Sequence, residues 1–432
     1  MAEWPIMSLR EAGVILIDCV HATPAAEPFG YPYIAIPDMK DGRIDFSKAR
    51  RISEIDFEKW TTKARPRRHD VVLSRRTNPG VTATVGEECA FALGQNLVLL
   101  RADGSRVLPE FLKWLVAGPD WWAQISKFLN VGAVFDSLKC ADVPRFQLPI
   151  PPRHEQQRIV SILGALDDKI DLNRRMNETL EAMARALFKD WFVDFGPTRA
   201  KMEGRAPYLA SDLWALFPDR LDDDGKPEGW EVSSIGEEIR VAGGSTPRTT
   251  EPAYWDGDIA WATPKDLSRL DAPVLFETER LITHAGLSQI SSGLLPKGTV
   301  LLSSRAPIGY VAITEIPVAV NQGFIGMVCE GRLSNVFCWL WTIFRMDEIK
   351  QRANGSTFLE ISKSNFRPIP VTVASRRILF AFDQMVRPLF TRIAHNEDES
   401  RTLAATRDLL LPKLMSGEIR VRDAEKMVEP AL

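Results

Sequence analysis

The sequence predicts an α+β protein: two globular mixed α/β domains alternate with two long helices, and the helices pack against each other as an antiparallel coiled coil. Three observations predict it. Two stretches of about 40 residues each carry apolar side chains at three- and four-residue spacing. Each follows a region of short apolar runs broken by Gly, Pro and Asn, the pattern of strands and turns. The second globular-plus-helical half also repeats residues of the first.

The first long helix is expected from about His154 to Phe195. Pro149, Pro151 and Pro152 precede it and Gly196-Pro197 ends it. Its seam reads Ile159, Leu163, Leu166, Ile170, Leu180, Leu187 and Trp191. Asn173 and Asn177 fall on the same seam, where buried asparagines fix register. About 40 residues of helix span roughly 60 Å. The second runs from about Ser375 to Leu414, with Ile378, Phe382, Met385, Leu389, Leu403, Leu410 and Leu414 as its seam. Pro388 inside it predicts a kink or a fresh start. The two copies align with an offset of 219 up to Asn177 and Asn396, and 223 from Leu180 and Leu403 onward. The four extra residues are a stutter, which shifts a seam without destroying it.

The globular regions repeat as well. Val72-Leu73-Ser74-Arg75-Arg76 with Gly80 matches Leu301-Leu302-Ser303-Ser304-Arg305 with Gly309. Gln95-Asn96 matches Gln322-Gly323, and Gly132-x-x-Phe135 matches Gly355-x-x-Phe358. A minor helix is expected over about Pro109 to Phe128, and Gly196 to Gly229 reads as a linker. The expected division is a first domain over 1–150, a helix over 151–196, a linker over 197–229, a second domain over 230–373, a helix over 374–420 and a tail over 421–432. Shared residues define one scaffold; divergent ones let two copies bind different things.

A chain of 432 residues with 45% apolar and 26% charged residues is globular in composition. That excludes collagen-like, disordered and disulfide-scaffold classes. Five cysteines without a C-x-x-C pair read as reduced and intracellular, and five histidines show no ligand spacing, so no metal site is expected. No apolar run reaches a membrane span and the N-terminus has no signal-peptide pattern, so a cytoplasmic location is expected. Phosphate-loop, zincin, nucleophile-elbow and kinase motif sets are absent, and so are the Asn/Asp-Pro-Pro-aromatic loop and Pro-Cys nucleophile of DNA methylation. Asp194-Phe195-Gly196 reads as a helix stop.

The net charge is −3, so a polyanion would have to be held by local patches. Between Lys40 and Arg76 lie twelve basic residues against six acidic ones. Such a run is a solvated face or a phosphate-binding track. Arg75, Arg76 and Arg305 follow strand-like runs at repeat-equivalent positions, which favours the track. Gly243-Gly244-Ser245-Thr246-Pro247-Arg248 offers backbone N–H groups and hydroxyls suited to phosphate oxygens.

Several motifs together resemble the DNA specificity (S) subunits of type I restriction-modification enzymes. Leu148-Pro149-Ile150-Pro151-Pro152 with Glu155-Gln156-Gln157-Arg158-Ile159 is similar to that family's entry into its first conserved helix. Leu187 to Phe195 is similar to its end, and Leu410-Leu411-Pro412-Lys413-Leu414-Met415-Ser416-Gly417-Glu418-Ile419 to the C-terminal signature. Tyr254-Trp255-x-Gly257-x-Ile259-x-Trp261, Arg305-Ala306-x-Ile308-Gly309 and Asn321-Gln322-Gly323-Phe324 are similar too. The resemblance implies a non-catalytic chain whose two target recognition domains each read half of a bipartite site in double-stranded DNA. It implies that the helices set the spacer and dock two modification (M) subunits, restriction (R) subunits joining them. S-adenosylmethionine, ATP and Mg would belong to those partners. The candidate DNA contacts are Lys40, Arg43, Arg67, Arg68, Arg75, Arg76, Ser245, Thr246, Arg248, Lys265, Arg305, Asn321 and Gln322. The candidate partner anchors are Phe188, Trp191, Phe192, Leu411 and Leu414. A self-contained methyltransferase or nuclease with unrecognised motifs is the alternative.

Overall fold

The computed structural model describes residues 4–131, 136–355 and 359–428. Gly132-x-x-Phe135 and Phe358 of the matching motif lie outside the described residues. The chain divides into two compact units, Met1–Lys169 with Thr402–Leu432, and Ile170–Arg401. The division falls inside both long helices, Arg153–Phe188 and Arg376–Met415. It does not follow the domain ends read from the sequence, because part of each helix packs with each unit.

In the first unit a four-stranded antiparallel sheet has the order Val14–Asp18, Leu97–Ala102, Val71–Ser74, Thr82–Thr84. Leu97 and Leu99 pack with Ile34, Val72 and Phe91, while Val98 and Leu100 are buried on the opposite face. Alternate side chains of a strand point to opposite faces, so a strand covered on both sides reads as a continuous apolar run. A second sheet has the order Arg50–Ile52, Tyr31–Ile34, Ala92–Leu93, its last pair parallel. Ile6–Ser8 pairs with Gln147–Pro149, joining the start of the globular region to its end.

The second unit repeats the plan of these three sheets. Arg240–Ala242, Phe324–Val328, Val300–Ser303 and Val311–Thr314 form the matching antiparallel order, with Val274–Leu275 added parallel at the edge. Arg280–Ile282, Trp255–Ala262 and Ala319–Val320 form the second sheet, and Glu231–Ser234 pairs with Pro370–Val373. The short-range motif matches of the sequence are thus fragments of one duplicated topology.

The second long helix runs unbroken through Pro388, where the sequence predicted a kink or a new start. Flanking packing holds it: Val386 and Phe390 are buried on either side. These two, not Met385 and Leu389, form the fully buried seam, a shift of one residue. The first long helix ends in a π-helical turn over Lys189–Val193. Phe195 then takes a left-handed conformation, φ 54°, which stops the helix as expected.

Within the second unit the two helices lie antiparallel, and the seam asparagines join them. Asn396 Nδ2 donates to Asn177 Oδ1 at 2.9 Å. Asn173 Nδ2 donates to Glu399 Oε2 at 2.7 Å and to the Asn396 carbonyl at 3.3 Å. Amides buried in an apolar seam find such partners in one register only, which specifies alignment at some cost in stability, here including an unpartnered Asn396 Oδ1. Within the first unit the link is ionic. Asp167 accepts from Lys113 Nζ at 2.7 Å and from Arg407 Nη1 at 2.8 Å.

Burial raises the Asp167 carboxyl, but the two cations outweigh it and hold it below its ordinary value. A depressed folded pKa contributes stability above the unfolded value that is lost as pH falls through the folded one. Asp167→Asn is expected to cost about 2–3 kcal/mol at neutral pH, below a fully buried pair because both cations keep some water. The difference from wild type should shrink below about pH 4. Urea denaturation at neutral and acid pH checks both.

Phe188, Trp191 and Phe192 are core residues, not surface anchors. They are 2%, 0% and 7% exposed and pack against Phe217, Trp230, Phe337 and Phe382 of the same unit. Leu411 and Leu414 belong to the other unit and are buried there, next to Met415, whose carbonyl accepts from Trp4 Nε1. Buried Phe188, Trp191 and Phe192 recur as buried Leu411, Leu414 and Met415 at the 223-residue offset, each set closing its own unit. The expected linker is also packed: Gly196–Met202 and Ser211–Trp214 are helical, and Phe217 sits edge-on to Trp191 at 4.8 Å. The expected tail contains a helix, Val421–Val428, with Val421 and Ala424 buried.

Candidate nucleic-acid interface

In the second unit the strand Arg240–Ala242 runs into Gly243-Gly244-Ser245-Thr246. A Cβ on Gly244 would meet the Val320 carbonyl oxygen at 1.8 Å, so only glycine lets the turn lie this close to the neighbouring strand. Ser245 N donates to that carbonyl at 3.1 Å, and Ser245 Oγ donates to the Gln289 carbonyl at 3.1 Å. Thr246 Oγ1 donates to Gln322 Oε1 at 2.6 Å. Asn321 Oδ1 accepts from Gly323 N at 2.8 Å and bends the chain there. The Gly323 carbonyl accepts from Ser304 N at 2.8 Å, which brings Arg305 to the same edge. Pro264 packs on Gly323 and carries Lys265, whose ammonium pairs with Glu279 at 2.9 Å. Ser245, Thr246, Lys265, Arg305, Asn321 and Gln322 are therefore brought together.

Two tryptophans back this turn. Trp261 Nε1 donates to the Ser245 carbonyl at 3.3 Å and Trp255 Nε1 to the Arg248 carbonyl at 3.0 Å. Their rings meet edge-on at 5.0 Å. Arg280, which the sequence reading missed, lies with its guanidinium 3.5 Å from the Trp255 ring centre and 5.7 Å from that of Trp261. Only the pairing of Arg280 opposite Trp261 reveals it; the linear sequence places them 19 residues apart.

In the first unit Ile17 faces Leu99 as Ala242 faces Gly326 in the matching sheet. Counting on, Asp18-Cys19-Val20-His21 stands where the second unit has Gly243-Gly244-Ser245-Thr246. His21 Nδ1 bonds the Gln95 carbonyl at 2.9 Å and Nε2 bonds Asp18 Oδ2 at 2.9 Å. Cys19 Sγ donates to the Gly94 carbonyl at 3.3 Å. Burial pushes the Cys19 thiol up to about 11, Asp18 adding to this and Arg75 opposing it. A carboxylate oxygen, a thiol and a ring nitrogen thus lie within 4.8 Å of one another, a grouping the histidine and cysteine spacing did not suggest. These hydrogen bonds account for it.

Arg75 N donates to the Asn96 carbonyl at 3.0 Å, as Ser304 N does to that of Gly323. Arg76 is therefore the counterpart of Arg305, and Arg75 of Ser304. Arg75 is half-buried with its Nε unsatisfied. Arg76 is bridged through its backbone to Ser137, and Arg305 at the matching bridge to Glu360, whose carboxylate it meets at 3.5 Å.

The basic run does not form one track. Lys40 and Arg43 face each other across a tight hairpin, with Lys40 paired to Asp45 at 2.6 Å. The hairpin's Gly42 carbonyl bonds Thr84, opposite Val71. Arg67 and Arg68 enter at that same Val71 end, Arg68 paired with Glu87 at 2.9 Å. Arg75 and Arg76 leave at the Ser74 end. The strand Val71–Ser74 separates the two groups, and acidic partners reduce the charge of the first.

Among the described residues no helix is long and apolar enough to cross a membrane. The family described as "Type I restriction modification DNA specificity domain" matches residues 21–182 and 227–376. The HindI type I restriction enzyme specificity subunit of Haemophilus influenzae is 26% identical over 377 residues, covering 76% of this chain and 81% of that protein. The MjaIX specificity subunit of Methanocaldococcus jannaschii is 25% identical over 431 residues, covering 98% and 94%. The crystal structure of a type I restriction-modification S subunit from M. genitalium aligns with a TM-score of 0.54 and 15% identity, covering 95% of this chain and 96% of that one; this likeness concerns the fold.

Proposed function

The chain belongs to the type I restriction-modification DNA specificity family, and from that premise we propose that it is the non-catalytic subunit that selects the DNA sequence. Each globular domain reads one half of a bipartite, asymmetric site in double-stranded DNA. The long helices set the spacer and dock two modification subunits, to which restriction subunits add. S-adenosylmethionine, ATP and Mg act on those partners. With the aromatic cluster of Phe188 committed to the core, docking falls to exposed apolar residues of the helices, such as Leu172, Met183, Phe380 and Leu409.

One observation carries this reading: the same sheet plan occurs twice with different side chains at matched edges. Gly243-Gly244-Ser245-Thr246 stands against Asp18-Cys19-Val20-His21, and Arg305 beside Glu360 stands against Arg76 beside Ser137. A scaffold duplicated with unlike edges suits two unlike half-sites. Arginine suits a phosphate or a guanine edge, whereas Ser245 N, Ser245 Oγ and Thr246 Oγ1, read from the sequence as phosphate donors, already donate within the protein.

Arg76→Ala and Arg305→Ala test it in the assembled methyltransferase. Each is expected to weaken DNA binding. A phosphate contact should lower the salt slope by about one, and a base contact should cost about 1–3 kcal/mol and relax one position of one half-site. Arg76→Ala should affect only the half-site of the first domain and Arg305→Ala only that of the second. Affinity and salt slope unchanged in both would place the DNA surface elsewhere.

A further inference from the structure

We infer that Arg280 is a DNA-phosphate contact of the second domain, held in place by Trp255, and that Arg50 is its counterpart in the first. The inference rests on the DNA-reading role proposed above and adds a contact on the second sheet of each domain.

Arg280 is exposed, yet its guanidinium is fixed 3.5 Å from the centre of the Trp255 ring. A free arginine on a surface samples many rotamers; one stacked on an indole has already lost much of that freedom before it meets a ligand. Among the described residues no carboxylate pairs with it. The adjacent Glu279 is turned to Lys265 and Arg269, at 2.9 and 3.0 Å. The planar cation therefore presents its donors to solvent, uncompensated.

Its location is tied to the candidate turn. The two indoles beneath Arg280 are those whose N–H groups hold the carbonyls of Ser245 and Arg248.

The repeat decides between phosphate and base. Arg50 faces Tyr33 across the second sheet of the first domain, and Arg280 faces Trp261 across the matching sheet. An arginine opposite an aromatic ring is kept in both copies, whereas the neighbouring turns differ completely. What is common to two domains that read different half-sites is the sugar-phosphate backbone. Arg50 Nη1 also donates to the Pro24 carbonyl at 3.0 Å, which leaves its other guanidinium donors available.

The test uses the full chain assembled with its modification subunits, and a duplex carrying the site methylated in the host, titrated across a salt series. Arg280→Ala is expected to make the slope of log affinity against log salt shallower by about 0.9 and to weaken binding about five-fold near 0.15 M salt, the value for one neutralised phosphate. Arg280→Lys, which keeps the charge and much of the packing, should retain the wild-type slope. Neither variant should change the methylated sequence. An unchanged slope in Arg280→Ala overturns the assignment. So does an Arg280→Lys variant as weak as Arg280→Ala, or a methylated sequence relaxed at one base, since either makes Arg280 a base reader. Absence of site-specific binding by the wild-type assembly would instead overturn the DNA-reading role, and this contact with it.

Discussion

Phe188→Ala is expected to lower the stability of the second unit by about 3–5 kcal/mol, the range for deleting a fully buried aromatic ring. Phe188 touches four other rings, with centroids 5.1 Å away at Phe337, 5.3 Å at Phe192 and Phe344, and 6.0 Å at Phe382. These come from both long helices and from the helix Asn335–Phe344. No single element can move to fill the space, so most of the cavity persists. Urea unfolding followed by tryptophan emission reads the loss, since Trp191 and Trp230 lie in the same cluster. A double change of Phe188 and Phe192 to Ser removes more than many domains possess in total, about 5–15 kcal/mol, and is expected to unfold the unit. Failure of that variant to purify with modification subunits would then report lost folding. A cost below about 1 kcal/mol for Phe188→Ala would contradict the packing.

The long helices were legible because their signals are local. Apolar spacing, flanking prolines and Gly196 all lie within the segments they delimit, and buried Asn173 and Asn177 occupy the seam read for them. What covers a helix face is not local. The period of Phe188 and Trp191 shows that one side is apolar, but a partner subunit and the chain's own Phe337 and Phe382 would produce the same period. The same limit split the basic run. Arg67 and Arg76 belong to one basic run of the sequence, yet the four-residue strand between them sends them to opposite ends of a sheet. Asp18-Cys19-Val20-His21 shares no residue with Gly243-Gly244-Ser245-Thr246, and only strand register makes the two turns equivalent. Arg280 needed the same information, because its partners are set by a cross-strand pair and not by spacing.

The second large effect concerns the DNA spacer, and the asparagine lock decides how it must be tested. Four residues inserted after Asn177 alone would slide the rest of the first helix by about 6 Å against its neighbour. Asn177 could keep Asn396, or Phe188 could keep Phe382, but not both, so the unmatched insertion is expected to destabilise the second unit. The informative variant adds four residues after Asn177 and four more between Ile393 and Asn396. Both contacts then survive on either side of the added turn. Each insertion is a stutter of the kind the second copy already carries between Asn396 and Leu403, so the seam rotates by about 40° without being lost. The added 6 Å corresponds to roughly two base pairs at 3.4 Å each. Two base pairs turn the far half-site by roughly 70°, leaving about 30° beyond what the helices supply, a mismatch that DNA and loops can share. The expected product is an active methyltransferase whose site has a spacer longer by one or two base pairs and both half-sites unchanged, read by mapping methylated adenines in a strain carrying the variant. An active variant that keeps the original spacer would show that helix length does not set it. Altered half-sites would show that reading and spacing are not carried by separate parts of the chain.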